Sequence, residues 1–514
     1  MRRLLALLLA ACLALGLTGC GDDPPEPVES AGPSPSPTPT QAVQSARFSL
    51  GWDPAASLHP IAGPSQVNQE LTGLVYQGLY ELDNDFAPQP VLAVSSSVSE
   101  DGLTWTFALD SGAVFSDGTP LTAAHAAGSL DSARSSALYA ARLAEVTAVW
   151  AVDDGTLCIS LSAPNGALPA LLDIPVVLEQ EEGPPLGSGR YVYEEAGDGL
   201  CLRVNPRYPH AAALPYDVIP LTPVTNAAER VAAFDSGAIT AVTTDFSGAY
   251  ALSYSSSYET CDYPTTALIY VGFRTASGPC RVPLVRRAFS QCFDREELVG
   301  VLLSGHGDPA CLPVHPRLSG TAGASLAYDP ESAAALLEEA GYVRSEEDGL
   351  LYRGDAPLSV TLLVNSDNET RQRMAEHLAG DLRALGVTVT VDRLAWKDYN
   401  AALASGAFDL YIGEVRLTGD LDPSPRLTGV LSFGGYAGEG LAQALSQWKA
   451  ASGAARTESA QQLWELLEQD VPVAALCFKR GSLLVRWGMA SNLQPTRADP
   501  FAHIEQWTTT GRRD

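Results

Sequence analysis

The chain lacks the patterns that usually carry catalysis. No glycine-rich loop ends in Lys-Ser/Thr, no HExxH sets two histidines on one helix face, and no GxSxG elbow presents a nucleophile. The seven histidines, at 59, 125, 210, 306, 315, 377 and 503, are scattered. Only His306 and His315 share a loop, without the further convergent ligands a metal needs. With 60 acids in 514 residues, carboxylate pairs occur throughout and single out no acid–base couple. No enzyme, cofactor or metal site is therefore expected, and a secreted hydrolase has no motif in its favour. Basic residues are scarce as well, 32 against those 60 acids, a formal charge of −28. Such a field repels nucleic acid and anionic lipid and favours a soluble surface.

No apolar run reaches the roughly 20 residues of a membrane-spanning helix. The longest stands at the start, Leu4 to Leu17, behind Arg2 and Arg3. A basic start, a short apolar core and small residues before a cleavage point describe a secretory signal. Its end, Leu17-Thr18-Gly19-Cys20, resembles the lipobox of bacterial lipoproteins. That resemblance implies a signal over residues 1–19, an acylated Cys20 as mature N-terminus, and an extracytoplasmic protein anchored by lipid to the cell membrane. Removing Arg2 and Arg3 leaves 30 basic residues against 60 acidic ones. Residues 20–45 then supply prolines at 24, 25, 27, 33, 35, 37 and 39 among Ser, Thr, Asp and Glu. With almost nothing apolar to bury, this stretch reads as a disordered, semi-rigid linker of roughly 3.1 Å per residue.

Cysteine gives little further constraint. Cys12 leaves with the signal and Cys20 carries lipid, so Cys158, Cys201, Cys261, Cys280, Cys292, Cys311 and Cys477 remain. An odd set without CxxC reads mainly as small buried hydrophobes. One bridge stays open in an oxidising compartment, with no pairing specified.

About 470 residues follow the linker, more than one ordinary core holds. The first half is β-rich: Thr104 to Leu109, Leu157 to Leu161 and Leu200 to Val204 are strands bounded by Gly, Asp or Pro. The second half alternates strand and helix. Leu358 to Val364 precedes a helix from Glu369 whose Met374, Leu378, Leu382 and Leu385 share a face, stopped by Gly386. Val387 to Val391, Lys397 to Ser405 and Phe408 to Gly413 continue as strand, helix, strand, implying parallel pairing. Asp294 with Glu297, and Asp329-Pro330-Glu331, mark two further helix starts.

An ordered series of short motifs runs through this region. Leu74-Val75-Tyr76-Gln77-Gly78-Leu79-Tyr80, Pro90-Val91-Leu92-Ala93, Asp101-Gly102-Leu103-Thr104-Trp105-Thr106-Phe107 and Phe115-Ser116-Asp117-Gly118-Thr119-Pro120 come first. Gly187 to Tyr191, Phe234 to Ile239, Val285 to Leu298, and Tyr328 to Tyr342 follow in order. The series resembles family 5 extracellular solute-binding proteins, the peptide/nickel/opine-type binding components of ABC importers. The resemblance implies an α/β, two-lobed periplasmic-binding-protein-like fold (type II, peptide-binder type) with an extra β-rich subdomain in lobe 1. Lobe 1 would span 46–268, with the subdomain at about 83–180. Lobe 2 would take 269–476, and 477–514 would return to lobe 1. The Asp117-Gly118 and Thr119-Pro120 pairs are turn chemistry, not ligand chemistry.

Ligands of open α/β sheets bind beyond the carboxyl ends of strands. Thr418-Gly419-Asp420-Leu421-Asp422-Pro423 follows such a strand. It resembles the family segment whose aspartate pairs with a peptide's α-amino group, which maps to Asp420. The family's usual aromatic is replaced by Leu417, preceded by Arg416, and the loop is one residue short. Arg371 and Arg373 stand where some peptide binders hold the ligand carboxylate with a guanidinium fork, and with Asp420 and Arg416 they make up the expected ligand-binding residues. The resulting expectation is a monomeric, membrane-anchored protein that closes on a peptide or small solute and passes it to ABC permease subunits. A sensor module of the same fold, or a binder of a nickel chelate, are the alternatives.

Overall fold

A computed structural model describes residues 47–509, except 198, 249–251, 321 and 428–432. The expected signal, Cys20 and the linker lie outside the described residues. Among those described, no helix is long and apolar enough to cross a membrane.

Alternation decides the first half. In Thr104–Leu109 the residues Trp105, Phe107 and Leu109 are buried and their neighbours half-exposed, the signature of a one-sided antiparallel strand. It joins Ala93–Val98, Thr156–Leu161 and Val146–Asp153 in a four-stranded antiparallel sheet. A second four-stranded sheet combines Leu50–Trp52, Val218–Pro223, Gly199–Val204 and Tyr191–Ala196. Both contribute to one apolar core that runs from Phe48 to Ala241 and takes in Leu483 to Trp507.

The second core runs from Leu268 to Phe478. Here Ser359–Asn365 pairs in parallel with both Thr388–Leu394 and Leu410–Arg416, through crossover helices Glu369–Ala384 and Trp396–Ser405. The first crossover helix starts where Asn368 accepts the Arg371 N–H at 2.9 Å, and Gly386 follows it at φ 91°. Asp294 and Asp329 act as the expected caps, accepting from Glu297 and Ser332. The Asp294 helix differs from a plain α-helix, widening into a π-helical turn over Leu298–Leu302. The turn at Asp117 spends its carboxylate on Thr119. All seven described cysteines are free thiols, five of them buried.

Two long antiparallel strands, Tyr258–Phe273 and Val473–Arg486, carry the chain between the cores. They pair Leu268 with Phe478 and Ile269 with Cys477, with irregular register between Pro264 and Leu268. The result is two α/β lobes with a β-rich subdomain in the first, as the resemblance implied.

Packing beside these strands is close. Tyr270 faces Gly413 and Gly272 faces Tyr411 across the Leu410–Arg416 pairing. A Cβ on Gly413 would lie 2.3 Å from the Tyr270 hydroxyl, and the Tyr270 ring is buried. Gly413→Ala should therefore cost about 1–3 kcal/mol by overpacking. Gly300→Ala, which meets nothing within 4 Å, should be near neutral. Urea midpoints of the two variants test this.

His315 is a second pressure point. Its ring lies between Phe86 of the first lobe and Phe478, with centroids 4.8 and 4.6 Å away. Burial pulls its pKa down to about 4, with nearby Asp308 and Asp85 opposing and Arg317 and Arg480 adding to the shift. The folded state thus favours neutral imidazole. This contribution is complete above the unfolded pKa of about 6.5 and is lost as pH falls towards 4, a drop of about 3 kcal/mol. His315→Gln should remove that part of the pH slope, read from urea unfolding at pH 7, 5.5 and 4.

Candidate binding cleft

Where the two long strands leave the first lobe, a polar cleft opens. Gln66, Thr243, Tyr263 and Arg497 line two adjoining cavities of about 270 and 190 Å³. The larger adds Glu70, Tyr139, Arg142 and Asp173 of the first lobe. The smaller adds Arg416 of the second lobe together with Thr265, Thr266 and Lys479 on the crossing strands. Cavities of about 580 and 610 Å³ open elsewhere, beside the Tyr191–Val204 hairpin and beside Arg190. Those two are lined by first-lobe and returning segments alone, so closure of one lobe on the other would not enclose them.

Four of the five acids of the cleft are already engaged, the exception being Glu81 in the larger cavity. Glu70 takes two bonds from the Arg230 guanidinium, at 2.7 and 2.9 Å, and one from the Thr243 hydroxyl. Asp499 accepts from Arg190 at 2.8 Å, and Arg190 also donates to Glu505 at 2.8 Å. Asp173 is ion-paired with Arg142, and Arg497 stands 3.7 Å from its other oxygen. Asp245 is paired with Lys479, which lies 3.6 Å from Glu414. Burial, then the proximity of Arg497, brings the pKa of Arg142 down to about 9. Arg497 is lowered by burial and by Arg416. Arg142 thus feels Arg497, and Arg497 feels Arg416.

The residues expected from sequence separate. Arg416 lines the cleft and is exposed. Arg371 is held by Glu414 at 2.6 Å and by Asn365 at 3.3 Å, one ion pair behind Lys479. Arg373 is exposed and lines neither cavity of the cleft. Asp420 is buried outside both cavities, close enough to Arg142 to raise that residue's pKa. It accepts from Asn165 of the first lobe at 3.0 Å and from the Thr418 hydroxyl. Beside it, Lys449 bridges Asp422 at 2.9 Å and first-lobe Glu145 at 2.8 Å, while the Gly166 N–H donates to the Lys449 carbonyl at 2.8 Å. The lobes therefore meet around the Asp420 loop.

Sequence reading missed Arg142, Arg497 and Asn165. Arg142 sits in an alanine-rich stretch, and Arg497 in a turn-like Pro-Thr-Arg-Ala-Asp-Pro run. Neither carries a motif, and only the return of residues 483–507 to the first core brings Arg497 beside Arg142.

A family model for bacterial extracellular solute-binding proteins, family 5 middle, matches residues 87–437. The glutathione-binding protein GsiB of Salmonella typhimurium is 28% identical over 390 residues, covering 71% of this chain and 74% of GsiB. The unliganded open form of MppA, a periplasmic murein tripeptide binding protein, matches with a TM-score of 0.72 at 20% identity, over 88% of this chain and 95% of MppA. An ABC transporter substrate-binding protein of Sinorhizobium meliloti gives 0.72 at 17%, over 90% and 100%. These structural likenesses establish the fold, that of type II periplasmic binding proteins. The relatives are binding proteins, not enzymes. With more than half of its length matched by the family model, this chain belongs to the family 5 bacterial extracellular solute-binding proteins.

Proposed function

We propose that the chain is a lipid-anchored carrier that encloses a short peptide or peptide-like solute between its lobes and delivers it to an ABC importer. The observation that supports this most is the cleft itself, lined from both lobes at the strands that join them. Its cavities, about 270 and 190 Å³, suit a solute of a few residues rather than a long chain. The tripeptide and glutathione named for MppA and GsiB have that size class. In this reading the lobes comprise 46–268 with 477–514, and 269–476, and they rotate about the crossing strands. Closure is favoured only by the ligand's extra affinity for the closed form.

Asp420 is the ammonium anchor, and Asn165 is the internal donor that a ligand's amine replaces. A carboxylate in a drying cleft gains more from a charge-assisted bond than from a neutral amide. Arg416 serves the other end of the solute, while Arg371 acts through Glu414 and Lys479. Arg373 remains a candidate at the helix surface. Cys20 holds the carrier at the membrane, where tethering raises its effective concentration at the permease.

Titration calorimetry with glutathione and with pools of di- and tripeptides tests the carrier reading, and heat from none of them would exclude it. Asp420→Ala should weaken binding of free-amine peptides at least tenfold and leave N-acetylated ones nearly unchanged. Equal losses on both would remove the ammonium anchor. Separately, Cys20→Ser should move the protein from the membrane pellet to the soluble fraction, and unchanged fractionation would refute lipid anchoring.

A further inference from the structure

The charge arrangement in the cleft says more about the cargo, on the reading that the cleft is the solute site. Four of the five acids that line it are spent on a cation, Glu70 on Arg230, Asp499 on Arg190, Asp245 on Lys479 and Asp173 on Arg142, and the fifth, Glu81, lines only the larger cavity. After those pairings two guanidiniums are left over. Arg497, one-third exposed, has only the outer oxygen of the already paired Asp173, at 3.7 Å. Arg416 has no carboxylate within 4 Å among the described residues, and both line the same 190 Å³ cavity. Each is close enough to the other for Arg416 to lower the pKa of Arg497. Adjacent like charges in a partly dried cavity are unfavourable unless an anion joins them.

The chain around them carries a formal charge of −28, so this local surplus runs against the overall field. A cleft of one sign with low-dielectric walls concentrates ligands of the other sign. We propose that Arg416 and Arg497 form a subsite for the carboxylate of the cargo, the free C-terminus of a short peptide or a comparable organic acid. Two guanidinium forks fit the two oxygens of a carboxylate. Arg416 reaches this subsite from the second lobe and Arg497 from the segment returning to the first, so a carboxylate held by both also ties the lobes together. Arg142, already neutralised by Asp173, positions Arg497 through that shared acid.

The experiment uses full-length protein and calorimetry with trialanine as free acid, trialanine amide, succinate and inorganic phosphate. The free acid should bind at least tenfold more tightly than the amide. Arg416→Gln and Arg497→Gln should each remove most of that difference while leaving the amide's affinity within about twofold. Arg416 is exposed, so its variant should fold, and circular dichroism checks both. Equal binding of acid and amide by the unaltered protein overturns the carboxylate subsite but leaves the carrier reading standing. Succinate binding that is lost in both variants, with no peptide bound, supports the subsite and removes the peptide. Phosphate bound more tightly than succinate, or no binding of any anion, overturns the subsite.

Discussion

The antiparallel pairing of Tyr258–Phe273 with Val473–Arg486 is the constraint on which the rest of the molecule depends. These strands belong to one sheet yet serve two cores, so a single set of backbone hydrogen bonds fixes the lobes to each other. Near Leu268 and Phe478 they are buried on both faces, which makes this stretch stiff. Towards Pro264 the register breaks, Pro264 has no N–H to donate, and Thr265 instead sends its hydroxyl to the Lys479 carbonyl. Bending is cheapest where ladder bonds are fewest, and that is where the cleft lies.

The same strands carry the cleft's electrostatics. Lys479 sits on the second of them, with Asp245 on one side and Glu414 on the other, and Glu414 in turn holds Arg371. This chain of alternating charges crosses from the first lobe to the second without leaving an acid free. In a protein with almost twice as many acids as bases, such pairing is what allows a positive surplus to survive in the smaller cavity. Truncating one partner of a buried pair leaves the other charge uncompensated, so the surplus at Arg416 and Arg497 depends on Asp173 and Asp245 staying occupied.

Much of the fold was legible in sequence because its elements are locally determined. The helix Glu369–Ala384 has its apolar stripe and its stop within twenty residues, and both appear where the pattern put them. Thr104–Leu109 alternates and is half-buried for the same reason. The cleft was less legible, because its residues come from eight separate stretches of chain. Arg416 follows a predicted strand and could be found by that rule, whereas Arg142 and Arg497 stand more than 350 residues apart and acquire meaning only through Asp173. Asp420 was readable as a residue, but its partner Asn165 was not, since nothing in Pro164-Asn165-Gly166 distinguishes it from an ordinary turn.

That partnership bears on how closure is balanced. Contacts between the lobes include one amide donating to a buried carboxylate, one lysine shared by Asp422 and Glu145, the Gly166 N–H on the Lys449 carbonyl, the Arg317–Asp85 pair at 2.6 Å, and the Phe86 ring against His315. A hydrogen bond to a charged group contributes about 1.5–3 kcal/mol, and an exposed ion pair such as Arg317–Asp85 about 0–1. Against these stands the conformational freedom surrendered by the loops they immobilise. In the proposed carrier, mainly polar contacts of this kind would keep open and closed forms close enough in energy for a small solute's differential affinity to decide the population. A larger, apolar interface would hold the lobes shut without cargo, and a weaker one would let the cleft stay wet. In the proposed carrier Asn165 fits this balance, because it keeps Asp420 satisfied when no amine is present and would bind it less strongly than an ammonium.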